Sequence, residues 1–259
     1  MKKLNLYLDF EFTSLSPDAQ PISMGIVSDE RDFRTGIHTA DLRLTTKQFY
    51  AEFADFDISR CDDWVKENVV EKLKHYKQIN AGGFKRGINS FEFECNYNTN
   101  QVKKELLSFL EQFYDYQIQI VVDCGTWDWY HFLQLVAEWE VKKIYLADMM
   151  FGTKHASNEL KRYGYTDVVL TDMQGADTSD LELYKSCSYG LPKLPSNISP
   201  VPQDLNDIIA IKKGISPKEA FYLNREVVAF GRPDLAEHEK HNALWDAKVI
   251  KAIYQKLMQ

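Results

Sequence analysis

Residues 4–13, LNLYLDFEFT, alternate without a break: Leu4, Leu6, Leu8, Phe10 and Phe12 fall on one side, and Asn5, Tyr7, Asp9 and Glu11 on the other. A β-strand separates these two sets, because successive side chains leave a strand on opposite faces. Asp9 and Glu11 then project from the same face with Cα atoms roughly 7 Å apart. Either that face is solvated, or two carboxylates converge on divalent metal ions. Acidic residues are depleted in strands, so the pair requires other ligands elsewhere in the chain to explain it.

The rest of the chain reads as alternating strands and helices. Strands are expected at 21–28 and 48–53, and a Gly- and Thr-containing excursion at 29–46. A helix should open at Asp62 and Asp63, where acids suit the helix dipole, and carry Val65, Val69 and Leu73 on one face. Residues 80–100 are rich in Gly and Asn and read as a long loop, followed by a helix at 101–113. Residues 118–122, IQIVV, form a nearly continuous apolar run of the kind found inside a sheet. A turn at 124–126 leads into a helix at 127–139. Residues 141–197, with a strand near 144–147, a short helix at 157–163 and a strand at 168–170, read as an inserted subdomain. A Pro-rich connector at 191–202 follows, then helices at 205–212, 217–224 and 242–257. The fold class is α/β, a mixed central sheet flanked by helices, in one domain that carries the 141–197 insertion.

Two of these helices carry a carboxylate on the wrong side. The last has the stripe Ala243, Asp246, Ile250, Ile253 and Leu257, and the helix after the 118–122 strand has Asp128, Phe132, Leu135, Val136 and Trp139. A buried carboxylate is costly unless paired, and no arginine lies within a turn of Asp128 or Asp246 in the sequence. Capping or ion pairing explains either residue singly. Taken with Asp9 and Glu11, four hard oxygen donors suit Mg²⁺ or Mn²⁺, which are held by a few carboxylates and by substrate phosphates. His241 lies five residues before Asp246, where it is either a helix cap or a proton acceptor. His131 and His155 have no such context and read as structural.

Composition removes several function classes. A net charge of −7 argues against a non-specific coat for phosphate backbones, which should be basic. The four cysteines, Cys61, Cys95, Cys124 and Cys187, form no Cys-x-x-Cys pair, which speaks against a zinc ribbon or a redox dithiol. Asp9 and Glu11 interrupt the first apolar stretch, so it does not read as a signal peptide, and no run approaches membrane-span length. The expectation is a soluble cytoplasmic protein with free thiols and no membrane partner.

The segments DFEFTSL (9–15), VDCGTWD (122–128) and HNALWDA (241–247) resemble, in order, the three motifs of the DEDDh 3′→5′ exonucleases, which share the ribonuclease H-like fold. Ser14 stands where many members have Gly. FYAEF at 49–53 followed by WVKENV at 64–69 is most similar to the RNase AS-like exoribonucleases. The resemblance spans residues 4–140 and 198–257, and 141–197 have no counterpart. It implies two-metal hydrolysis of a terminal phosphodiester, with Mg²⁺ or Mn²⁺ held by Asp9, Glu11, Asp128 and Asp246 and His241 as general base. Asp123 competes with Asp128 for the second motif, and Asp128 is preferred because the family residue begins the helix. The resemblance also implies Phe12 and Thr13 near the terminal ribose and Leu15 wedged against the last base. Trp127, Trp129 and Trp245 are stacking faces or plain core. The implied substrate is the 3′ end of single-stranded RNA, released as 5′-mononucleotides, and similar proteins form homodimers. Two other readings stand beside it. One is a DNA 3′→5′ exonuclease on the same scaffold. The other is an idle nucleic-acid-binding or assembly protein, against which the retained carboxylates and His241 speak.

Overall fold

The computed structural model describes residues 1–16, 18–29, 46–75, 92–123, 125–137, 141–146, 168–170, 185–189, 194–225 and 240–259. They divide into two compact units, one of 1–136 with 195–259 and one of 137–194.

In the first unit β1 (Lys2–Phe12), β2 (Pro21–Ser28), β3 (Gln48–Phe53), β4 (Glu92–Tyr97), β5 (Tyr116–Val122) and the two-residue β9 (Gln203–Asp204) form a six-stranded sheet in the order β4-β3-β2-β1-β5-β9. The β1–β2 and β2–β3 pairs are antiparallel, and β1–β5, β3–β4 and β5–β9 are parallel. The sheet is therefore mixed, and helices flank it. The 118–122 run lies next to β9, so β5 sits near one edge. The edge beyond it is extended by a bridge from Ile118 to Ile198.

The alternation in β1 decides the layering. Leu4, Leu6, Leu8 and Phe10 are buried on the face covered by α2 (Thr99–Glu111) and α3 (Trp127–Val136). There Phe109 of α2 packs on Phe49 and Phe93, and His131 of α3 packs on Phe10 and Phe12. The opposite face is not solvated. Tyr7 is fully buried and shares a core with Val121, Leu205, Ile209, Trp245, Val249, Ile250 and Ile253. Apart from Val121 of β5, those residues come from α4 (Leu205–Lys213) and α6 (Ala243–Met258), with Ala220 added from α5 (Pro217–Phe221). Asp9 and Glu11 thus lie on a covered face.

Several boundaries differ from the sequence reading for local reasons. The helix opened by Asp62, whose carboxylate accepts from Val65 N, is α1 (Asp63–Asn68). It ends before Leu73, and residues Val70–Lys72 tighten into a 3₁₀ turn. Part of the expected 80–100 loop is β4, where Phe93 and Cys95 alternate with Glu94 and Asn96 beside β3. The last helix starts at Ala243 because Asn242 caps it, its side-chain oxygen accepting from Leu244 N and Trp245 N. The 217–224 helix is only five residues long, opened by a Ser216–Glu219 capping box.

The second unit contains β6 (Val141–Leu146), β7 (Val168–Leu170) and β8 (Lys185–Tyr189) in the order β7-β6-β8. β6 runs parallel to β7 and antiparallel to β8. The 185–189 strand was not expected from the sequence. The expected 157–163 helix, the greater part of the 29–46 excursion and His155 lie outside the described residues.

Candidate active site

Strand β1 delivers the first two carboxylates. Its pairing with β2 shifts register between Glu11 and Phe12, and such an irregularity re-aims side chains at a strand end. β5 stops pairing with β1 at Leu8–Val122, so the backbone N–H of Phe10 lacks a strand partner there. Asp128, in the first turn of α3, takes it: Phe10 N donates to Asp128 Oδ1 at 3.2 Å. This ties the third carboxylate to β1 next to Asp9, and Asp128 is buried.

The fourth carboxylate comes from the layer on the other face. Residues opposed across the strands share a face, and Asp9, Gly25, Tyr50 and Glu94 form one row across β1, β2, β3 and β4. Gly25 is the gap in that row. A Cβ built there would lie 2.4 Å from the backbone of Ala243 and Leu244. Because Gly25 has none, the first turn of α6 sits directly on β2, one strand from Asp9, and Asp246 reaches the end of β1. Ligand atoms of Glu11, His241 and Asp246 all lie within 4.8 Å of one another.

The electrostatics of the four carboxylates agree with this crowding. Burial pushes Asp9 well above the usual carboxylate range, and the charges of Asp128, Asp246, Glu11 and Asp123 add to it. Glu11 is raised by burial and by Asp246, with which it shares a hydrogen bond, while Lys72 opposes the shift. Asp246 is raised to about 7, chiefly by burial; its hydrogen bonds with Glu11 and the His241 backbone hold it down. Asp246 Oδ2 is buried with no hydrogen-bond partner among the described residues. Like charges this close do not all ionise without compensation, and an orphaned carboxylate oxygen is a ready ligand atom. The donor set of carboxylates and one imidazole fits a hard divalent cation.

Asp123 borders this group and raises Asp9 and Asp246, but it has a partner of its own. Arg225 Nε donates to both its oxygens, at 3.1 and 3.0 Å, and Arg225 also bonds Asn206, whose side chain reaches the Asp123 carbonyl. Asp123 is thus ion-paired with Arg225, while Asp128 is the carboxylate bonded to the β1 backbone.

The sequence of this chain matches no family model and no curated protein. The geometry of the site therefore stands on its own residues.

A cleft of about 550 Å³ is lined by Phe12, Ser14, Leu15, Trp64, Trp127 and Phe221 together with the carboxylates of Asp9, Glu11, Asp123 and Asp128. Leu15, Trp64 and Phe221 are exposed. Phe12 and Leu15 are thus brought to the site. Thr13 is not: it is buried, and it closes the 13–20 loop by donating its N–H to Gln20 O and accepting from Gln20 N, both at 3.0 Å. Trp245 is buried in the core, and Trp129 stacks on Phe132. His131 is buried against Phe10 and Phe12, which lowers its pKa, and it reads as structural.

His241 is not the cap of α6, since Asn242 is. It adopts φ 64°, and its ring meets Trp64 edge-on at 5.0 Å. Lys72, whose Nζ donates to Lys240 O at 2.9 Å, supplies positive charge near Glu11. Lys72, Trp64, Phe221, Gly25 and Asn242 were not singled out from the sequence for this site. Each gains its meaning from a partner distant in the chain, so no local pattern announces it. Among the described residues no helix is long and apolar enough to cross a membrane.

Proposed function

We propose that this chain is a metal-dependent 3′→5′ exonuclease of the DEDDh kind on a ribonuclease H-like scaffold, acting on single-stranded RNA. The observation that supports it most is the convergence of Asp9, Glu11, Asp128 and Asp246 from a strand end and two helix starts, with His241 among them. Asp9, Glu11, Asp128 and Asp246 would hold two Mg²⁺ or Mn²⁺ ions. Bound there, the ions would supply Lewis-acid charge to a phosphodiester. The aromatic and aliphatic side chains of the cleft offer faces for a terminal nucleotide. The His241 imidazole, beside Glu11 and Asp246, takes the proton of the attacking water. The preference for RNA rests on the resemblance of residues 49–69 alone.

End-labelled RNA and DNA of one sequence, incubated with the protein in Mg²⁺ or Mn²⁺, test the reading. RNA should shorten from its 3′ end to 5′-mononucleotides, faster than DNA, and EDTA should stop it. Equal or faster loss of DNA would mean a DNA exonuclease; activity in excess EDTA, or cuts in a circular substrate, would refute the proposal.

His241→Ala should lose about 10²–10⁴ in rate, the usual worth of a positioned base, with Mn²⁺ affinity kept because four carboxylates remain. A variant that loses Mn²⁺ binding in calorimetry together with activity would make His241 a ligand instead.

A further inference from the structure

His241 stands in the left-handed region of backbone space, at φ 64°, with an ordinary L side chain. Such a conformation persists only where the surroundings enforce it. On its N-terminal side the Lys72 ammonium holds the carbonyl of Lys240. On its C-terminal side the anchor is Asn242, and Asn242 does two things at once. Its Oδ1 caps α6, while its Nδ2 donates to Tyr50 Oη at 3.1 Å. The Tyr50 hydroxyl in turn donates to Glu52 Oε1 at 2.9 Å.

Tyr50 and Glu52 are both buried, at 0% and 1% exposure. Glu52 is a carboxylate fixed from several directions. It accepts from Lys74 N at 2.6 Å and His75 N at 3.0 Å, and from Asn96 Nδ2 at 3.3 Å. It lies in the row Glu11–Ser23–Glu52–Asn96 across the sheet, one row along from Asp9–Gly25–Tyr50–Glu94. The chain Glu52–Tyr50–Asn242 therefore starts on the rigid sheet and ends at the residue between His241 and the first turn of α6. A buried acid held only for stability would not need to reach the helix cap. A buried network of this kind is worth keeping where it fixes one arrangement out of several, because each unmet donor in it is costly.

We propose that Glu52, Tyr50 and Asn242 are positioning residues that fix the left-handed turn at His241 and the start of α6, and so set His241 and Asp246 against Glu11. This deepens the exonuclease reading and rests on it for the roles of His241 and Asp246. None of the three lines the cleft beside the carboxylates; they act through the turn.

Tyr50→Phe removes one hydroxyl and leaves the aromatic packing. Assayed well below its melting temperature, it should lose about tenfold in kcat with KM within about twofold of the parent. Asn242→Ser keeps a capping oxygen for Leu244 N and Trp245 N but has no amide donor for Tyr50, and it should show the same split. In ¹H–¹⁵N spectra of either variant without substrate, the amides of His241 and Asp246 should shift while those of β5 stay in place. Wild-type kcat in both folded variants, or unshifted His241 and Asp246 amides, would overturn the proposal. If the parent protein shows no metal-dependent hydrolysis at all, the exonuclease reading fails, and the amide shifts alone judge the relay.

Discussion

Asp9→Asn is expected to abolish hydrolysis and, in the absence of divalent metal, to unfold at a higher temperature than the parent. The two effects have one cause. Asp9 lies among Asp128, Asp246, Glu11 and Asp123, every one of which pushes its protonation upward. Neutralising it removes a repulsion that the folded state alone suffers. A gain of about 1 kcal/mol raises the melting temperature by about 2–4 °C in a domain of this size. The same reasoning fixes a pH dependence. Asp246 titrates near about 7 when folded, against about 3.9 in an unfolded chain. Between those values the folded state binds the extra proton, so stability is greatest below the unfolded value and falls as pH rises through about 7. Asp246→Asn should flatten that part of the curve. Mg²⁺ or Mn²⁺ should flatten it too and raise the melting temperature, since an ion bound by the folded cluster replaces the proton. Thermal melts from pH 4 to 8, with and without metal, measure this alongside hydrolysis. Substantial hydrolysis by purified Asp9→Asn would remove it from the site, and a metal-free stability that rises across the range would contradict the crowded cluster.

Gly25→Ala should be the most damaging added methyl among the described glycines. In an ordinary strand this change helps, because glycine weakens strands by roughly 0.5–1 kcal/mol. Here the new Cβ would stand 2.4 Å from the backbone of Ala243 and Leu244, where ordinary contact begins at 3.4 Å. The obstacle is backbone, which has no rotamer to yield, so the start of α6 must retreat by about 1 Å. Overpacking of this sort costs on the order of 3 kcal/mol, which outweighs the propensity gain. Retreat carries Asp246 and His241 away from Glu11, and a displacement of about 1 Å is enough to cost about 10²-fold in rate. Gly25→Ala should therefore be both less stable and nearly inactive, with kcat falling far more than the folded fraction. The same substitution at Gly214, whose neighbourhood is open, should strain its left-handed backbone there and leave the site intact. Melting curves and single-turnover rates on the two variants make the comparison. Parental activity in Gly25→Ala would show that α6 does not depend on the gap.

What was legible in the sequence was whatever repeats locally. The ten-residue alternation in β1, the helix opening at Asp62, and the helical stripes that contain Asp128 and Asp246 are set by backbone geometry within a few residues, and the structure places each on the element expected; the cap of the last helix is Asn242, one residue on from the His241 that the sequence offered for it. The carboxylates were legible for the same reason: an acid inside an apolar stripe stands out against its own neighbours. The covering of the Tyr7 and Asp9 face and the strand at residues 92–97 were decided by partners far along the chain. Phe93 and Cys95 mark a strand only once β3 lies beside them, and Leu73 leaves the helix because residues 70–72 tighten into a 3₁₀ turn. Thr13 was drawn to the site by its place in a motif, yet its hydroxyl is taken by Gln20 in closing a loop. Gly25, Tyr50 and Glu52 are unremarkable residues in unremarkable strands. Register alone sets them in rows with Asp9 and Glu11, and register is a property of the assembled sheet, because pairing energy between strands depends on which residues end up opposite one another.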